Sequence, residues 1–382
     1  MTAGSVRTTM GGLMVATAGF GSYISADSHV TEPPEAFASI DPRFAARAPR
    51  LAELPGMGAT IVIDADGPAQ NLVPFGRIAG AGRTLVGGEE GWSWDELHPG
   101  GYDAAARIDE QRQDGIAAEV IYPSVGMVLC NHPDLAYKAA CFEAYNRWIA
   151  EWCSYAPERL IGLGQSAMGS VEEGIADAAR IKELGLHGIM LPGIPGVEDY
   201  HDEMYDPFWE AVTDLGLPVS FHILTSGDPR WRGPNMNGFL GIIHANQDII
   251  GMLILGGVFE RHPGLKVVCV EADAGWAPHY MFRMDTLYER HHSWVLAARL
   301  SQPPSAYFRD NVYLTFQDDR IAFQTLDLMN PDRLMWANDH PHSDATWPNS
   351  EKILNENLAA VTAARRDRIV RDNCAELYGL DR

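Results

Sequence analysis

Short apolar runs alternate with helical segments along most of this chain, and this alternation is the feature that most restricts its fold. Parallel strands that are buried on both faces read as continuous Val, Ile and Leu runs. Eight such strands are predicted, over residues 23–28, 117–125, 159–167, 186–192, 217–223, 265–273, 311–316 and 333–339. Eight strands with helices between most of them predict an α/β fold of the closed (β/α)8 TIM-barrel type rather than an open doubly wound sheet.

Helix start and stop signals agree with this alternation. Asp103 is a predicted N-cap, Ser170 and Glu173 form a capping-box pattern, and Gly216 follows the end of a predicted helix. The predicted helices span residues 103–113, 135–155, 170–184, 207–215, 238–261, 277–290, 350–358 and 363–377. Within the fifth of these, the Gly256-Gly257 pair predicts close packing or a bend.

Two segments fall outside the strand-helix alternation. Residues 31–101 are rich in Pro and Gly and too long for a plain connection, so they predict a lid or capping insertion after the first strand. Residues 1–22 are broken by Gly and carry one basic residue, which favours a disordered or docking tail over a signal peptide. The remaining residues, 23–382, are expected to form a single barrel domain, since such barrels reach this length with insertions.

Composition excludes several classes of function. The formal net charge of −22 argues against a nucleic-acid partner, because phosphate binding needs a basic face. Five scattered cysteines without CxxC spacing fit a reducing cytoplasm, and no apolar run predicts a membrane span. The chain also lacks a GxGxxG motif, a P-loop and a GxSxG elbow, which disfavours nucleotide-binding folds and α/β-hydrolases.

The active site of a TIM barrel lies at the carboxyl ends of its strands. The acidic and histidine side chains predicted at or just after those ends are Asp27, His29, Glu32, His222, Glu271, Asp273, Asp339, His340 and His342. Asp27 and His29 are two residues apart on a strand, so both side chains point to the same face. Each of these residues alone has an ordinary structural explanation, but their shared position predicts a divalent metal held by Asp27, His29, His222 and Asp339.

Four segments carry a resemblance to a known family: ADSHVTEPPEAF, PVSFHI, GVFERHPGLKVVCVEADAGWAPHYMFRMD and MWANDHPHSDATWPNS. Together they resemble the amidohydrolase-related family, in the branch that includes aminocarboxymuconate-semialdehyde decarboxylase and γ-resorcylate decarboxylase. The resemblance implies a distorted TIM barrel with one or two divalent metals (Zn, Mn or Fe). It also implies that Asp339 binds metal and handles a proton.

The chain departs from the family pattern at informative positions. Glu271 stands where many relatives carry His, and His340 stands where Tyr is usual. The predicted fourth strand has no lysine for a metal-bridging carbamate. Glu32 and Glu271 are extra carboxylates that could hold a second cation, and hard oxygen ligands favour Mn or Fe over Zn.

The leading functional hypothesis is hydrolysis or non-oxidative decarboxylation of a small organic acid or amide by metal-activated water and Asp339. Glu271 and His342 are the other candidate catalytic residues, and Arg230, Arg232 and His340 are candidate substrate-binding residues. One alternative is a dinuclear non-heme Fe/Fe or Fe/Mn oxygenase resembling the 2-aminoisobutyrate hydroxylase component. Another is a non-catalytic partner subunit of such an enzyme. The expected assembly is a homodimer or a hetero-oligomer with a homologous chain.

Overall fold

The computed structural model describes residues 23–85, 90–227 and 233–380. The predicted tail and the candidate substrate-binding residues Arg230 and Arg232 lie outside the described residues. The strands are β1 Tyr23–His29, β2 Arg50–Leu54, β3 Gly58–Ile63, β4 Asn71–Val73, β5 Ile116–Tyr122, β6 Leu160–Gly162, β7 Gly164–Gln165, β8 Ile189–Met190, β9 Val219–His222, β10 Val267–Val270, β11 Val312–Phe316 and β12 Leu334–Trp336.

Nine of these strands build the predicted eight-stranded barrel. They pair in parallel in the orders β1-β5-β6 and β7-β8-β9-β10-β11-β12. The predicted third strand is split into β6 and β7 at Leu163. The Leu163 N–H donates to the Ile121 oxygen (3.2 Å), whereas the Gly164 N–H donates to the Gly188 oxygen (3.0 Å). The chain therefore passes from one neighbouring strand to the next at this point, and β6 and β7 act as one strand of a distorted barrel.

The seam between β12 and β1 has no ladder among the described residues and is closed by the residues that follow β12. The Asp339 N–H donates to the Asp27 oxygen (3.0 Å), and the His29 N–H donates to the His340 oxygen (2.8 Å). Ser25 Oγ accepts from the Asn338 N–H at 2.9 Å. These bonds fix the loop after β12 against β1, where the predicted metal-binding residues lie.

The helices lie between the strands as the alternation predicts. They are α1 Phe75–Ile78, α2 Ala104–Gln113, α3 Val125–Leu129, α4 Leu135–Cys153, α5 Val171–Glu183, α6 Asp206–Asp214, α7 Asn235–Gly241, α8 Ile243–Leu255, α9 Val258–Arg261, α10 Ala277–His291, α11 Pro304–Asn311, α12 Arg320–Gln324, α13 Ser350–Asn357, α14 Ala363–Asp367 and α15 Asn373–Tyr378. The Asp103 and Ser170 caps are confirmed, since their side chains accept from the N–H groups of Ala106 and Glu173.

The single helix predicted over residues 238–261 is wrong. The structure has α7, α8 and α9 in this region. Gly257 has a φ of +77°, a left-handed conformation that a continuing helix does not allow. A Cβ at this position would also come within 2.6 Å of the Ala298 side chain. The Gly256-Gly257 pair thus ends α8 and turns the chain into α9.

The insertion after β1 is more regular than the sequence predicts. It contains an antiparallel sheet in the order β2-β3-β4. Ile61 and Ile63 of β3 are buried. Arg47 ties the insertion to the barrel, because its guanidinium binds Asp64 (2.5 Å) and Asp134, the N-cap of α4 (2.8 Å). The insertion is therefore packed on the barrel along the start of α4.

One apolar helical run, Met236–Leu255, is long and apolar enough to cross a membrane by length and composition among the described residues. By those two criteria it contradicts the expectation that no segment qualifies. Its contacts are those of a barrel helix, because the Asn246 amide donates to the oxygens of Phe221 and Val270 at 3.1 Å each. Within the run, 44% of the 18-residue window that meets these criteria is buried inside the protein.

Candidate metal centre

The carboxyl ends of three strands bring four predicted ligands together. His29 Nε2 lies 3.5 Å from Asp27 Oδ1 and 3.4 Å from Asp339 Oδ1. His222 Nε2, at the end of β9, lies 3.5 Å from the same Asp27 oxygen. All four side chains are fully buried. The alternation of β1 explains why Asp27 and His29 point the same way, and the closed barrel explains why residues so far apart in sequence meet.

The polar atoms that face this point lack ordinary partners. Both Asp27 oxygens, Nε2 of His29 and of His222, and Asp339 Oδ2 are buried without a hydrogen-bond partner among the described residues. Buried polar atoms are normally hydrogen-bonded, so five exceptions on four neighbouring side chains are typical of a ligand-binding site. Carboxylate oxygens and imidazole nitrogens are the atoms that divalent first-row metals bind. The residues present therefore fit a divalent cation.

The two histidines are held in the tautomer that such a cation needs. The Nδ1–H of His29 donates to the Pro123 oxygen (3.3 Å), and that of His222 donates to the Ile223 oxygen (3.1 Å). When Nδ1 carries the proton of a neutral imidazole, the lone pair is on Nε2. Both lone pairs therefore point at the carboxylates. This arrangement is typical of metal-binding histidines, whose second nitrogen is fixed by a backbone carbonyl.

Glu271 and His342 extend the cluster in two directions. Glu271 Oε2 lies 3.3 Å from His222 Nε2, and His342 Nδ1 lies 3.1 Å from Asp339 Oδ1. Two groups of potential ligands result, Asp27-His29-His222-Glu271 and His29-Asp339-His342, and they share His29. The structure thus brings together all the predicted metal and catalytic residues except Glu32.

Backbone conformation sets the direction of the two acids that follow strands. Glu271 has a φ of +56° and Asp339 a φ of +54°. Left-handed backbone costs a non-glycine residue about 1 kcal/mol or more, so the surrounding structure must enforce it. The Glu271 N–H donates to Thr315 Oγ1 (2.8 Å), and the Asp339 N–H is held by Asp27. This left-handed backbone conformation therefore directs both carboxylates toward the cluster.

Burial and neighbouring charges change the pKa values of the acids and histidines in the cluster. Burial raises the pKa of Asp339 and of Glu271 well above the usual range, and the neighbouring Asp27 charge raises both further. Burial lowers the pKa of His29 well below its usual value. Burial also opposes the charged form of His222, but Asp27 and Glu271 outweigh it and leave the pKa raised. Without a cation, the site therefore favours protonated acids.

His342 presents a lone pair to Asp339. Ser124 Oγ donates its only proton to the Val30 oxygen at 2.7 Å, so it must accept at 2.9 Å from His342 Nε2–H. Burial lowers the pKa of His342 to about 4, so the ring is neutral at pH 7. Its Nδ1 lone pair then faces Asp339 Oδ1, which requires a proton or a cation between the two atoms. Ser124 was not anticipated from the sequence.

Glu32 does not join the cluster, contrary to the prediction that it is a metal ligand. Its carboxylate accepts hydrogen bonds from the N–H groups of Val125 (2.9 Å) and Gly126 (3.3 Å), at the start of α3. Burial raises the pKa of Glu32 to about 7. The three-residue spacing from His29 suggested a ligand, but the chain leaves the strand after His29 and the side chain turns to the helix instead.

His340 is also placed differently from its predicted substrate-binding role. Its Nε2 lies 2.7 Å from Glu110 Oε2, and its ring packs against His98 and Trp347. The side chain is 1% exposed. His340 therefore forms a buried pair with Glu110, while its backbone oxygen accepts the hydrogen bond from the His29 N–H that closes the barrel seam.

Arg107 is the structural residue that the sequence analysis missed. Its guanidinium binds Glu119 Oε2 (2.5 Å) and the backbone oxygens of His29 (2.9 Å), Gly100 (3.2 Å) and His340 (3.0 Å). It is fully buried. A charged Glu119 inside the apolar strand β5 was the available signal, because a buried carboxylate needs a buried partner.

The cysteines are not candidate nucleophiles. All five are buried and free of disulfides. Burial raises the pKa of Cys130, Cys141 and Cys269 to about 12, and it also raises that of Cys153 and Cys374. A reactive cysteine needs thiolate character at neutral pH, so thiol catalysis is disfavoured.

Comparison with known proteins agrees with this arrangement. The Amidohydro_2 family model, described as Amidohydrolase, matches residues 131–380, more than half of the chain. The chain belongs to this amidohydrolase family. It is 25% identical over 298 residues to the 2-amino-3-carboxymuconate-6-semialdehyde decarboxylase of Dictyostelium discoideum, an alignment that covers 76% of this chain and 81% of that protein. The resemblance read from the sequence motifs is thereby confirmed.

Solved structures confirm the fold. A crystal structure of an amidohydrolase from Mycobacterium avium subsp. paratuberculosis superposes with a TM-score of 0.76 and 20% identity, over 94% of this chain and 99% of that one. A mutant of the 5-carboxyvanillate decarboxylase of Novosphingobium aromaticivorans, crystallised with bound manganese, gives a TM-score of 0.63 at 20% identity. That match covers 73% of this chain and 82% of that one. The distorted TIM barrel is therefore shared with these proteins.

Proposed function

We propose that the protein is a metal-dependent enzyme that decarboxylates a small organic acid without oxidation. The observation that carries this proposal is the set of five unpartnered buried atoms that Asp27, His29, His222 and Asp339 contribute, on side chains that all belong to the two ligand groups around His29 in the described part of the chain. The decarboxylases among its relatives and structural neighbours favour decarboxylation over hydrolysis of an amide. The manganese in the Novosphingobium enzyme supports Mn as the metal, as does the carboxylate-rich ligand set.

Asp27, His29, His222 and Glu271 would hold the cation, and Asp339 lies beside them, with its Oδ1 3.4 Å from His29 Nε2. A cation bound there acts as a Lewis acid that polarises the oxygens of a bound carboxylate. The hydrogen bonds of His29 and His222 to backbone oxygens keep their Nε2 atoms in place. The burial of Asp27, His29, His222 and Asp339 excludes water from their side chains and strengthens electrostatic interactions in the site.

Decarboxylation breaks one C–C bond, releases CO2 and leaves an electron pair on carbon that must take up a proton. Asp339 is placed to supply it, because the neutral His342 ring faces Asp339 Oδ1 with the Nδ1 lone pair and so holds a proton on that oxygen, and this single proton passes from Oδ1 to the substrate carbon. His342 Nδ1 accepts from Asp339 Oδ1–H in that state and thereby orients the carboxyl group. Solvent restores the proton after product release, so atoms and charge balance.

Replacing His222 with alanine is expected to remove metal binding. Loss of one ligand leaves the metal with an incomplete set of donors. Removing a residue that only hydrogen-bonds a ligand lowers metal affinity by up to about 100-fold, so losing a ligand itself should lower it by at least that much. Elemental analysis and titration with Mn²⁺ measure the metal affinity. Turnover is measured as CO2 release from two classes of acid, hydroxybenzoates and unsaturated amino acids that carry a second carboxylate. His279→Ala, an exposed histidine on α10, is the control. Full metal occupancy in His222→Ala would overturn the proposed site.

Replacing Ser124 with alanine tests the proposed orientation of His342. The variant removes the acceptor of the His342 Nε2 proton, and a lost hydrogen bond of about 1.5 kcal/mol corresponds to about a tenfold lower turnover number. Metal content should stay unchanged, because Ser124 is not among the ligand groups. Ser154→Ala, an exposed serine, is the matched control. Equal turnover in the two variants would show that Ser124 does not act through His342.

A dinuclear oxygenase is the second candidate, because two groups of potential ligands share His29. One cation would then be held by Asp27, His29, His222 and Glu271 and the other by Asp339 and His342, since the single Nε2 lone pair of His29 serves only one of them. Protein grown with iron and manganese separates the candidates by elemental analysis and an oxygen electrode. About two metals per chain including iron, with substrate-dependent oxygen uptake, would favour the oxygenase. A single Mn or Zn with CO2 release and no oxygen uptake would favour the decarboxylase.

A further inference from the structure

A cleft of about 900 Å³ lies among the loops that follow β5, β8 and β9 and reaches the insertion sheet. Its walls include the apolar side chains of Leu72, Val128, Ile194 and Leu224. Leu224 follows the metal-site residue His222 by two positions, which places this cleft on the same end of the barrel as the metal centre. Among the described residues that line it, Lys138 is the only Asp, Glu, Lys or Arg.

Lys138 is buried although it has no acidic partner in the described part of the chain. The side chain, on α4, is 3% exposed. Its Nζ donates to the Cys130 oxygen at 3.1 Å. Asp134, one turn earlier on the chain, is already bound to Arg47 at 2.8 Å. An ammonium group has three N–H donors, so two remain for a ligand.

A purely structural role does not account for this placement. Lysine near a helix end can bind the last carbonyl groups, as Lys138 does with Cys130. That contact uses one donor and a neutral acceptor, so the positive charge stays uncompensated. A buried charge without a counter-ion is unfavourable, and proteins usually pair such charges. Burial accordingly lowers the pKa of Lys138, and a bound anion would reverse that effect.

We propose that Lys138 binds an anionic group of the ligand in this cleft. The apolar walls and the single cation select an organic acid with an apolar body and a second anionic group, remote from the carboxylate that reacts. Lys138 is then a specificity-determining residue for the proposed decarboxylation, and this inference rests on that proposed function. In this proposal, the cleft binds the part of the substrate that does not react.

The test compares acids that differ by one carboxylate. Isothermal titration of the full-length Mn²⁺-loaded protein measures the dissociation constants of benzoate, 2-naphthoate and biphenyl-4-carboxylate. Isophthalate, naphthalene-2,6-dicarboxylate and biphenyl-4,4′-dicarboxylate provide second carboxylates at increasing distances. At least one diacid should bind about 10- to 100-fold more tightly than its monoacid, the effect of one charge-assisted hydrogen bond.

Lys138→Met should abolish this preference and leave monoacid binding unchanged, whereas Lys138→Arg should keep much of it. Lys182→Met, an exposed lysine on α5, is the control and should behave as the wild type. If Lys138→Met does not fold, Lys138→Gln serves the same comparison, since its amide can still donate to Cys130. A diacid preference that is absent, or that survives in these variants, overturns the role of Lys138. Failure of every monoacid to bind counts instead against the proposed metal site.

Discussion

Replacing Asp339 with asparagine lowers the turnover number for decarboxylation by about 100- to 10,000-fold, the contribution of a positioned general acid. Asparagine has the same shape but no acidic proton to give to the substrate carbon. Asparagine is also neutral, which suits a buried cluster where burial and Asp27 disfavour the ionised form of Asp339. We therefore expect the folded state to be kept, with an unfolding midpoint at least equal to that of the wild type.

The measurement is single-turnover CO2 release with the product analysed after reaction in D2O. In the wild type, the carbon that loses CO2 should carry one deuterium, because the proton of Asp339 comes from solvent. Asp344→Asn removes an exposed carboxylate nearby, and its turnover should differ from the wild type by less than about tenfold. An Asp339→Asn variant with wild-type turnover would show that another group delivers the proton.

Replacing Arg107 with methionine is expected to lower the free energy of unfolding by about 3–5 kcal/mol. The guanidinium is fully buried and binds Glu119 together with backbone oxygens of β1, the insertion and the loop after β12. Methionine fills similar space but leaves the Glu119 carboxylate without its cation. The backbone oxygen of His29 also loses its Arg107 donor, so metal affinity should fall together with stability.

Denaturant unfolding of Arg107→Met and of a matched surface variant measures this effect. Arg112 lies on the same helix, α2, but is exposed and pairs with Asp109 (2.6 Å). Arg112→Met should cost less than about 1 kcal/mol, since exposed ion pairs contribute little. Equal midpoints for Arg107→Met and Arg112→Met would show that the buried network does not stabilise the barrel.

Local sequence signals predicted most of the elements and their order. Helix caps such as Asp103 and Ser170 act within a few residues, so they can be read directly from the chain. The insertion sheet was missed because its strands lie in a segment rich in Pro and Gly, which was interpreted as irregular, and because the segment is held by distant partners such as Asp134. The split of the helix at Gly257 also depends on a tertiary contact, since Ala298 lies against it.

The sequence by itself determined the eight-strand alternation and the polar residues that end the strands. Asp27 and His29 follow from strand periodicity, and the barrel rule places His222 and Asp339 on the same end. Only the tertiary structure decided which way the flanking residues turn. Glu32 caps α3, His340 pairs with Glu110, and Arg107 closes the seam. Their partners lie dozens to hundreds of residues away, and the direction of a side chain in a loop is set by such partners rather than by its own neighbours.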